Sequence, residues 1–320
     1  LAQAAGLDVV AAGHALVDVR MLVDQFPGPD EEAAIREEER GAGGSAVNVA
    51  IDVARLGGRS GVAAKIAFDG FGRIVFEELW RSRVDLRGLR ISPRGRTGFS
   101  IVVVTGSGEV AIYGYKGVAE ELSPGEVDVE LVSSAAVLHI ASLRLDTSIA
   151  AARAARGAGR LVSWDPGRRL AALGLGAVRG LLGLVDIVFV NRVEARLLTG
   201  AGDPLEAARR IAAAGPRLVV VKLGAEGAVL LDSRRGAAYR VPAYRPGRVV
   251  DTTGAGDAFA AAMLLRLARG SDVVEALRYA AVAAGLKVAR LGAHSVPGAR
   301  DVEEALRGWD AYPEELRLGA

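Results

Sequence analysis

The chain has 320 residues, 51% of them hydrophobic, and a formal charge of +2, which is enough apolar material for one large α/β domain or two smaller ones. It contains no cysteine, which excludes disulfides, thiol catalysis and Cys-ligated zinc. Its basic residues are dispersed and aromatics make up only 5%, which argues against a nucleic-acid surface or a base-stacking platform.

Other absences narrow the class further. His14, His139 and His294 stand far apart without helical metal spacing and read as structural. No uncharged apolar run is long enough to predict a membrane span. Leu1–Val10 is apolar but contains Asp8 and lacks a basic leader, so it predicts a first strand rather than a secretion signal; the expectation is a soluble cytoplasmic protein. Scarce Asn, Gln and Met and absent Cys suggest a thermophilic source, a bias that a GC-rich genome also produces. The two asparagines, Asn48 and Asn191, and the four lysines at 65, 116, 222 and 287 stand out against that background.

In chain order, Asp8–Val19 opens as a strand. Ser45–Leu56 is predicted helical, with Ala46, Val49, Ala50 and Val53 on one face, and ends at Gly57-Gly58. A strand over Ser60–Ile66 and a helix over Gly72–Ser82 follow. Leu138–Ala141 and Leu161–Trp164 read as buried strands on either side of an alanine-rich helix, Ser148–Gly157. Val185–Val190 and Leu218–Leu223 are further strands, separated by helices over Val193–Leu198 and Leu205–Ala214. A hairpin over Glu226–Asp232 and Ala237–Arg240 leads to two last helices, Ala258–Ala268 and Val273–Val288. This alternation predicts a three-layer α/β/α core with a mainly parallel sheet. Two stretches break it. Val17–Gln25 with Glu37–Gly41, and Thr97–Thr105 with Val110–Tyr115 around a Ser107-Gly108 turn, read as amphipathic strands of a small β lid, about residues 14–40 and 95–118 of one domain.

The most specific segment is Asp251-Thr252-Thr253-Gly254-Ala255-Gly256-Asp257-Ala258-Phe259. Gly254 and Gly256 permit tight backbone geometry just before a helix, whose first N–H groups lack intrahelical partners and suit an anion. Asp257 then stands beside that anion cradle. Cradle and carboxylate together suit phosphoryl transfer to a hydroxyl: the Gly254, Ala255 and Gly256 amides hold developing charge and Asp257 takes the proton. The plainer reading is a capped helix after a glycine turn.

Gly41-Ala42-Gly43-Gly44-Ser45-Ala46-Val47-Asn48 also precedes a helix, and Asn48 offers a donor and an acceptor to hydroxyls. It fits a dinucleotide fingerprint by pattern, but a charged run precedes it and the following strand does not end in the required acid. Asp18 is read as ending the first strand, where an acid could accept bonds from two neighbouring hydroxyls. Asn191-Arg192-Val193-Glu194 reads as a capping box at a strand-to-helix junction. Lys222-Leu223-Gly224-Ala225-Glu226-Gly227 follows a strand, with Lys222 able to neutralise phosphate.

Taken in this order, these motifs resemble the ribokinase-like (PfkB) family of small-molecule kinases from about residue 8 to about residue 298. The resemblance implies ATP-dependent transfer to a sugar hydroxyl, with Asp257 as general base. It implies substrate binding by Asp18, Gly43, Gly44 and Asn48, and nucleotide binding by Asn191, Lys222, Gly224 and Gly227. It implies Mg²⁺ acted on by Glu194 through water, and a K⁺ site near the loop Arg290-Leu291-Gly292-Ala293-His294-Ser295 that also uses Asp251 and Thr253, chiefly through backbone carbonyls. The stretch Tyr113-Gly114-Tyr115-Lys116-Gly117 resembles the lid exit of 2-keto-3-deoxygluconate kinases, with Tyr115 where those carry Arg and Gly167 where they carry Asn. Gly43-Gly44-Ser45 is closer to the nucleoside-kinase form, and Lys116, Arg168 or Arg169 would suit a sugar phosphate. The expected order is a sugar kinase, then a nucleoside kinase, then a phosphofructokinase or ketodeoxygluconate kinase. Outside the class stand a nicotinamide oxidoreductase and a non-catalytic nucleotide-binding protein. An apolar outer lid face predicts a homodimer through the lid.

Overall fold

In the computed structural model the described residues are 6–107 and 109–317. The expected strand start at Leu1 and the Gly108 half of the expected hairpin turn lie outside them. β1 (Val9–Gly13) leads into β2 (Leu16–Val23), β3 (Ile35–Gly43) and α1 (Ser45–Arg55). β4 (Ser60–Ala67), α2 (Gly70–Arg81) and β5 (Asp85–Ser92) follow, then β6 (Thr97–Thr105) and β7 (Val110–Gly117). The middle of the chain runs α3 (Val129–Ser134), β8 (Val137–Ala141), α4 (Leu145–Gly157), β9 (Leu161–Asp165), α5 (Gly167–Ala171) and α6 (Gly174–Leu182). β10 (Ile187–Asn191), α7 (Arg192–Thr199), α8 (Pro204–Ala212), β11 (Leu218–Lys222), β12 (Ala228–Asp232) and β13 (Ala237–Val241) come next. The last elements are α9 (Ala255–Ala268), α10 (Val273–Val288), α11 (Ala299–Arg307) and β14 (Glu314–Leu316).

Among the described residues the larger sheet has ten strands in the order β14-β13-β12-β11-β10-β9-β8-β1-β4-β5. From β11 to β5 every pairing is parallel, and β12–β14 form an antiparallel edge. Helices cover both faces. Val49, Phe259, Leu264 and Val282 pack on one side, and Leu131, Ala152, Leu181 and Ile211 on the other. Burial on both faces explains why β1, β8, β10 and β11 are nearly unbroken apolar runs. The chain leaves β1 toward β4 and returns through β8. The carboxyl ends at that reversal are where open α/β sheets hold their ligands.

The smaller sheet, order β3-β2-β6-β7, is the lid. β2 pairs β6 in parallel, and both flanking pairs are antiparallel. Its strands fall within or beside the two stretches predicted from the broken alternation.

One expectation is corrected. The single strand read over Asp8–Val19 is two strands: the chain leaves the main sheet after Gly13 and enters the lid at Leu16. Asp18 therefore does not end the first strand; it lies in the lid, in register with Gly41. His14-Ala15 carries no turn signal between the two halves, so the change of sheet leaves no local mark in the sequence. Helix α9 begins at Ala255 rather than Ala258, which places Asp257 in its first turn.

Candidate active site

Three neighbouring parallel strands end in polar side chains at the same sheet edge: β9 in Asp165, β10 in Asn191 and β11 in Lys222. Asn191 and Lys222 are register partners. Lys222 Nζ donates to Asp165 Oδ2 at 2.8 Å. The same ammonium lies where it would be 3.1 Å from a Cβ placed on Gly256, so it faces the backbone at the start of α9. Burial works against the Lys222 charge, but Asp165, Glu194 and Asp257 outweigh it and raise its pKa.

Gly254 caps α9 in the left-handed region, φ 75°. A Cβ there would overlap the Ala293 carbonyl oxygen, so this position needs glycine for both conformation and room. The Ala255, Gly256 and Asp257 amides form the positive end of a fourteen-residue helix. Asp257 accepts a 2.8 Å bond from Asn48 Nδ2, which arrives on α1. Burial pushes the Asp257 carboxyl up to about 6, against the pull of Asn48, Lys222 and Ser45.

The capping box predicted at Asn191 is present. Glu194 N–H donates to Asn191 Oδ1 at 2.9 Å, and Asn191 N–H donates to Glu194 Oε2 at 2.8 Å. Burial, and then the neighbouring Asp165 charge, raises the Glu194 pKa. A bound cation would relieve that penalty, so the setting suits Mg²⁺ held through water. Among the described residues no cluster of three or more His, Cys, Asp or Glu could chelate a metal alone.

Beside the cradle lies a cleft of about 420 Å³, predominantly apolar, lined by Gly224, Gly227, Tyr244, Thr252, Gly256 and Phe259 among others. Its character suits a nucleobase. Gly227, at φ 91°, keeps the turn clear of the Val241 carbonyl, which a Cβ would overlap.

On the lid side a Cβ on Gly43 would overlap the Asp18 carboxylate, and one on Gly44 the His14 carbonyl, so both glycines are needed for close packing. Burial raises the Asp18 pKa to about 6, while Lys116 on β7 opposes the shift. Lys116 also acts on His14. Asp251 accepts from the Thr253 and Gly292 amides, at 2.9 and 3.1 Å, and from Arg20 Nη1 of the lid at 3.1 Å.

The structure thus joins Asn48 with Asp257, Lys222 with the α9 start, Asn191 with Glu194, and Asp18 with Gly43. It adds Asp165, Arg20 and Lys287, which the sequence reading did not assign to the site. Asp165 carried a usable signal, an acid ending a buried strand, and Lys287 only its rarity as one of four lysines; Arg20 carried none.

The pfkB carbohydrate kinase family profile matches residues 7–298. The chain belongs to the pfkB family of carbohydrate kinases. It is an ATP-dependent sugar or nucleoside kinase, a phosphotransferase with an alcohol acceptor. It is 37% identical over 296 residues to the ATP-dependent ribose-1-phosphate kinase of Halopiger xanaduensis, covering 91% of this chain and 95% of that one. It superposes with TM-score 0.86 on Arabidopsis thaliana ribokinase complexed with ribose and ATP, at 28% identity, covering 95% of this kinase and 99% of that chain. It superposes with TM-score 0.83 on an E. coli protein solved with ATP and Mg²⁺ under the name ribokinase II, at 25% identity, covering 95% and 100%. Among the described residues no helix of the kinase is long and apolar enough to cross a membrane.

Proposed function

We propose that the kinase phosphorylates a hydroxyl of a ribose-type sugar, with ribose 1-phosphate as the leading acceptor, and that Asp257 is the general base. The observation that carries the catalytic part is the Asn48–Asp257 hydrogen bond beside the α9 amides. The Asp257 carboxylate takes the proton as the acceptor O–H breaks. The acceptor oxygen bonds to the γ-phosphorus, the bond to the β-phosphate oxygen breaks, and ADP leaves. The Gly254–Gly256 turn and the first α9 amides hold charge on the moving phosphoryl group. Lys222 and Asn191 face the nucleotide phosphates, and Gly224 and Gly227 line the base cleft. When bound, Mg²⁺ neutralises phosphate charge, and Glu194 would hold it through water. Asp18, Gly43, Gly44 and Asn48 grip the sugar hydroxyls.

Support for a phosphorylated acceptor comes from the identity to the ribose-1-phosphate kinase and from exposed Lys116 acting on the Asp18 pocket. The nucleoside-kinase form of Gly43-Gly44-Ser45 supports a nucleoside as the second acceptor. An ADP-release assay over ribose 1-phosphate, ribose, fructose, 2-keto-3-deoxygluconate and adenosine tests this. The highest kcat/KM is expected for ribose 1-phosphate. Turnover of adenosine or fructose with none of ribose 1-phosphate would reject the substrate assignment and leave the kinase assignment standing. We place this chemistry in the cytoplasm, where ATP and Mg²⁺ are plentiful.

We further propose a homodimer through the lid. The outer strand β3 is protected by its charged run Arg36–Arg40, but the opposite edge strand β7 exposes Val110, Ile112, Tyr113 and Tyr115. Light scattering is expected to give twice the chain mass of 33.2 kDa. A monomer at working concentration would remove this proposal.

A further inference from the structure

Of the four lysines, Lys287 is the one with no solvent access. Its Nζ donates at 2.8 Å to the main-chain carbonyl of Asp251, the residue that begins the cradle segment. The Asp251 N–H donates to the Val288 carbonyl at 3.1 Å, so residue 251 is fastened to the last turn of α10 from both its amide and its carbonyl. The Asp251 carboxylate then ties down the Thr253 and Gly292 amides, and Ala293 packs against Gly254. Cradle, α10 and the 292–293 loop therefore meet at Asp251, whose carbonyl the ammonium holds.

A buried ammonium needs compensating charge. Asp52, on the buried side of α1 among Val49, Ala50 and Val53, has no solvent access, and among the described residues neither of its carboxylate oxygens has a hydrogen-bond partner. Burial, and then the Asp257 charge, pushes the Asp52 carboxyl well above the usual carboxylate range, against Arg55, the Val296 amide and Lys287. Burial lowers the Lys287 pKa; Asp251, then Asp52 and Asp257, work to hold its charge, and Arg20 opposes them from the lid. Asp52 is also one helical turn beyond Asn48, the residue that holds Asp257.

The family resemblance implies K⁺ at Asp251 and Thr253 through backbone carbonyls. The residues present do not suit it. The Asp251 carbonyl already binds an ammonium, and Arg20 stands on the Asp251 carboxylate. A monovalent cation arriving there would meet two fixed positive charges at close range.

We propose that Lys287 is a built-in replacement for the monovalent cation: its ammonium holds the Asp251 carbonyl, and with it the Thr252–Gly256 cradle. Lys287 is a positioning residue; it does not touch substrate. The consequence is a kinase whose nucleotide binding and turnover do not depend on K⁺ or Na⁺. This rests on the proposed reading of the cradle as the phosphate site.

The test is calorimetric titration of the whole chain with AMP-PNP and Mg²⁺, in buffers whose only monovalent cation is K⁺, NH₄⁺, Na⁺ or tetramethylammonium. The wild type is expected to bind equally in all four. Lys287→Ala is expected to lose about tenfold in tetramethylammonium, the scale of a lost charged hydrogen bond. It should regain affinity in K⁺ or NH₄⁺, which fill the space left by the side chain. Lys287→Met fills that space without charge and should lose affinity with no rescue, which a merely structural role would not separate from Lys287→Ala. Clear tightening of the wild type by K⁺ would overturn the proposal, as would unaltered binding by Lys287→Met. The wild-type arm decides the cation claim even if Lys287→Ala fails to fold by circular dichroism. A wild type that binds no AMP-PNP in any buffer would instead reject the nucleotide reading beneath it.

Discussion

Asp257→Asn is expected to lower turnover by about a hundredfold or more, the usual scale for removing a general base. Asparagine keeps the shape and can still bond to Asn48 and to an acceptor hydroxyl, so acceptor KM is expected to change far less than kcat. A purely structural Asp257 predicts near-normal kcat, because asparagine keeps its contact, the bond accepted from Asn48. Near-normal kcat for Asp257→Asn at saturating ATP and acceptor would reject the catalytic role. The pH profile gives an independent reading. Burial raises the Asp257 pKa to about 6, so the carboxyl is protonated and inactive as a base below that value. The wild-type kcat should fall as pH drops through this range, and Asp257→Asn should lack that limb. Burial also places Asp18 at about 6. Reading kcat at saturating acceptor, against the Asn variant, keeps the two groups apart.

Gly254→Ala is expected to damage the site through geometry alone. Alanine is strained at φ 75°, by roughly 1–2 kcal/mol for an L-residue in the left-handed region. Its Cβ would also overlap the Ala293 carbonyl oxygen, and that atom is backbone, so the 292–293 loop or the first turn of α9 must move. A shift of an ångström in the cradle amides would cost about a hundredfold in kcat/KM, because positioned donors lose their target. The measurement is kcat/KM for ATP alongside a thermal melt. Gly270, at φ 82° with open space around it, provides the control: Gly270→Ala carries the strain without the overlap. Comparable activity in the two alanine variants would show that the Gly254–Ala293 contact does not shape the cradle.

Much of this molecule was legible in one dimension. The parallel core follows from apolar runs spaced by amphipathic helices, and the lid from the two stretches where period-two alternation returns. Asn191 and Glu194 form the capping box that their spacing predicts, because a cap is made within one turn. The cradle was legible for the same reason: Gly254, Gly256 and Asp257 lie within four residues, so local backbone rules govern them. β5 was not read, because Asp85–Ser92 mixes charged and apolar residues on a half-exposed sheet edge.

What only the tertiary structure decided lies between segments far apart in the chain. The Asn48–Asp257 bond spans 209 positions, and Arg20–Asp251 spans 231. Asp18 looked like the end of a strand until the chain was seen to change sheets after Gly13. Asp52 interrupts the buried side of α1 and Lys287 that of α10, and neither interruption alters a helical period enough to mark it. A buried charge is intelligible only beside the group that compensates it, and that group is brought near by packing rather than by sequence spacing. Local geometry therefore wrote the cradle and its caps into the sequence, whereas the charges that hold the cradle in place acquired their meaning when α1, α10 and the lid closed around it.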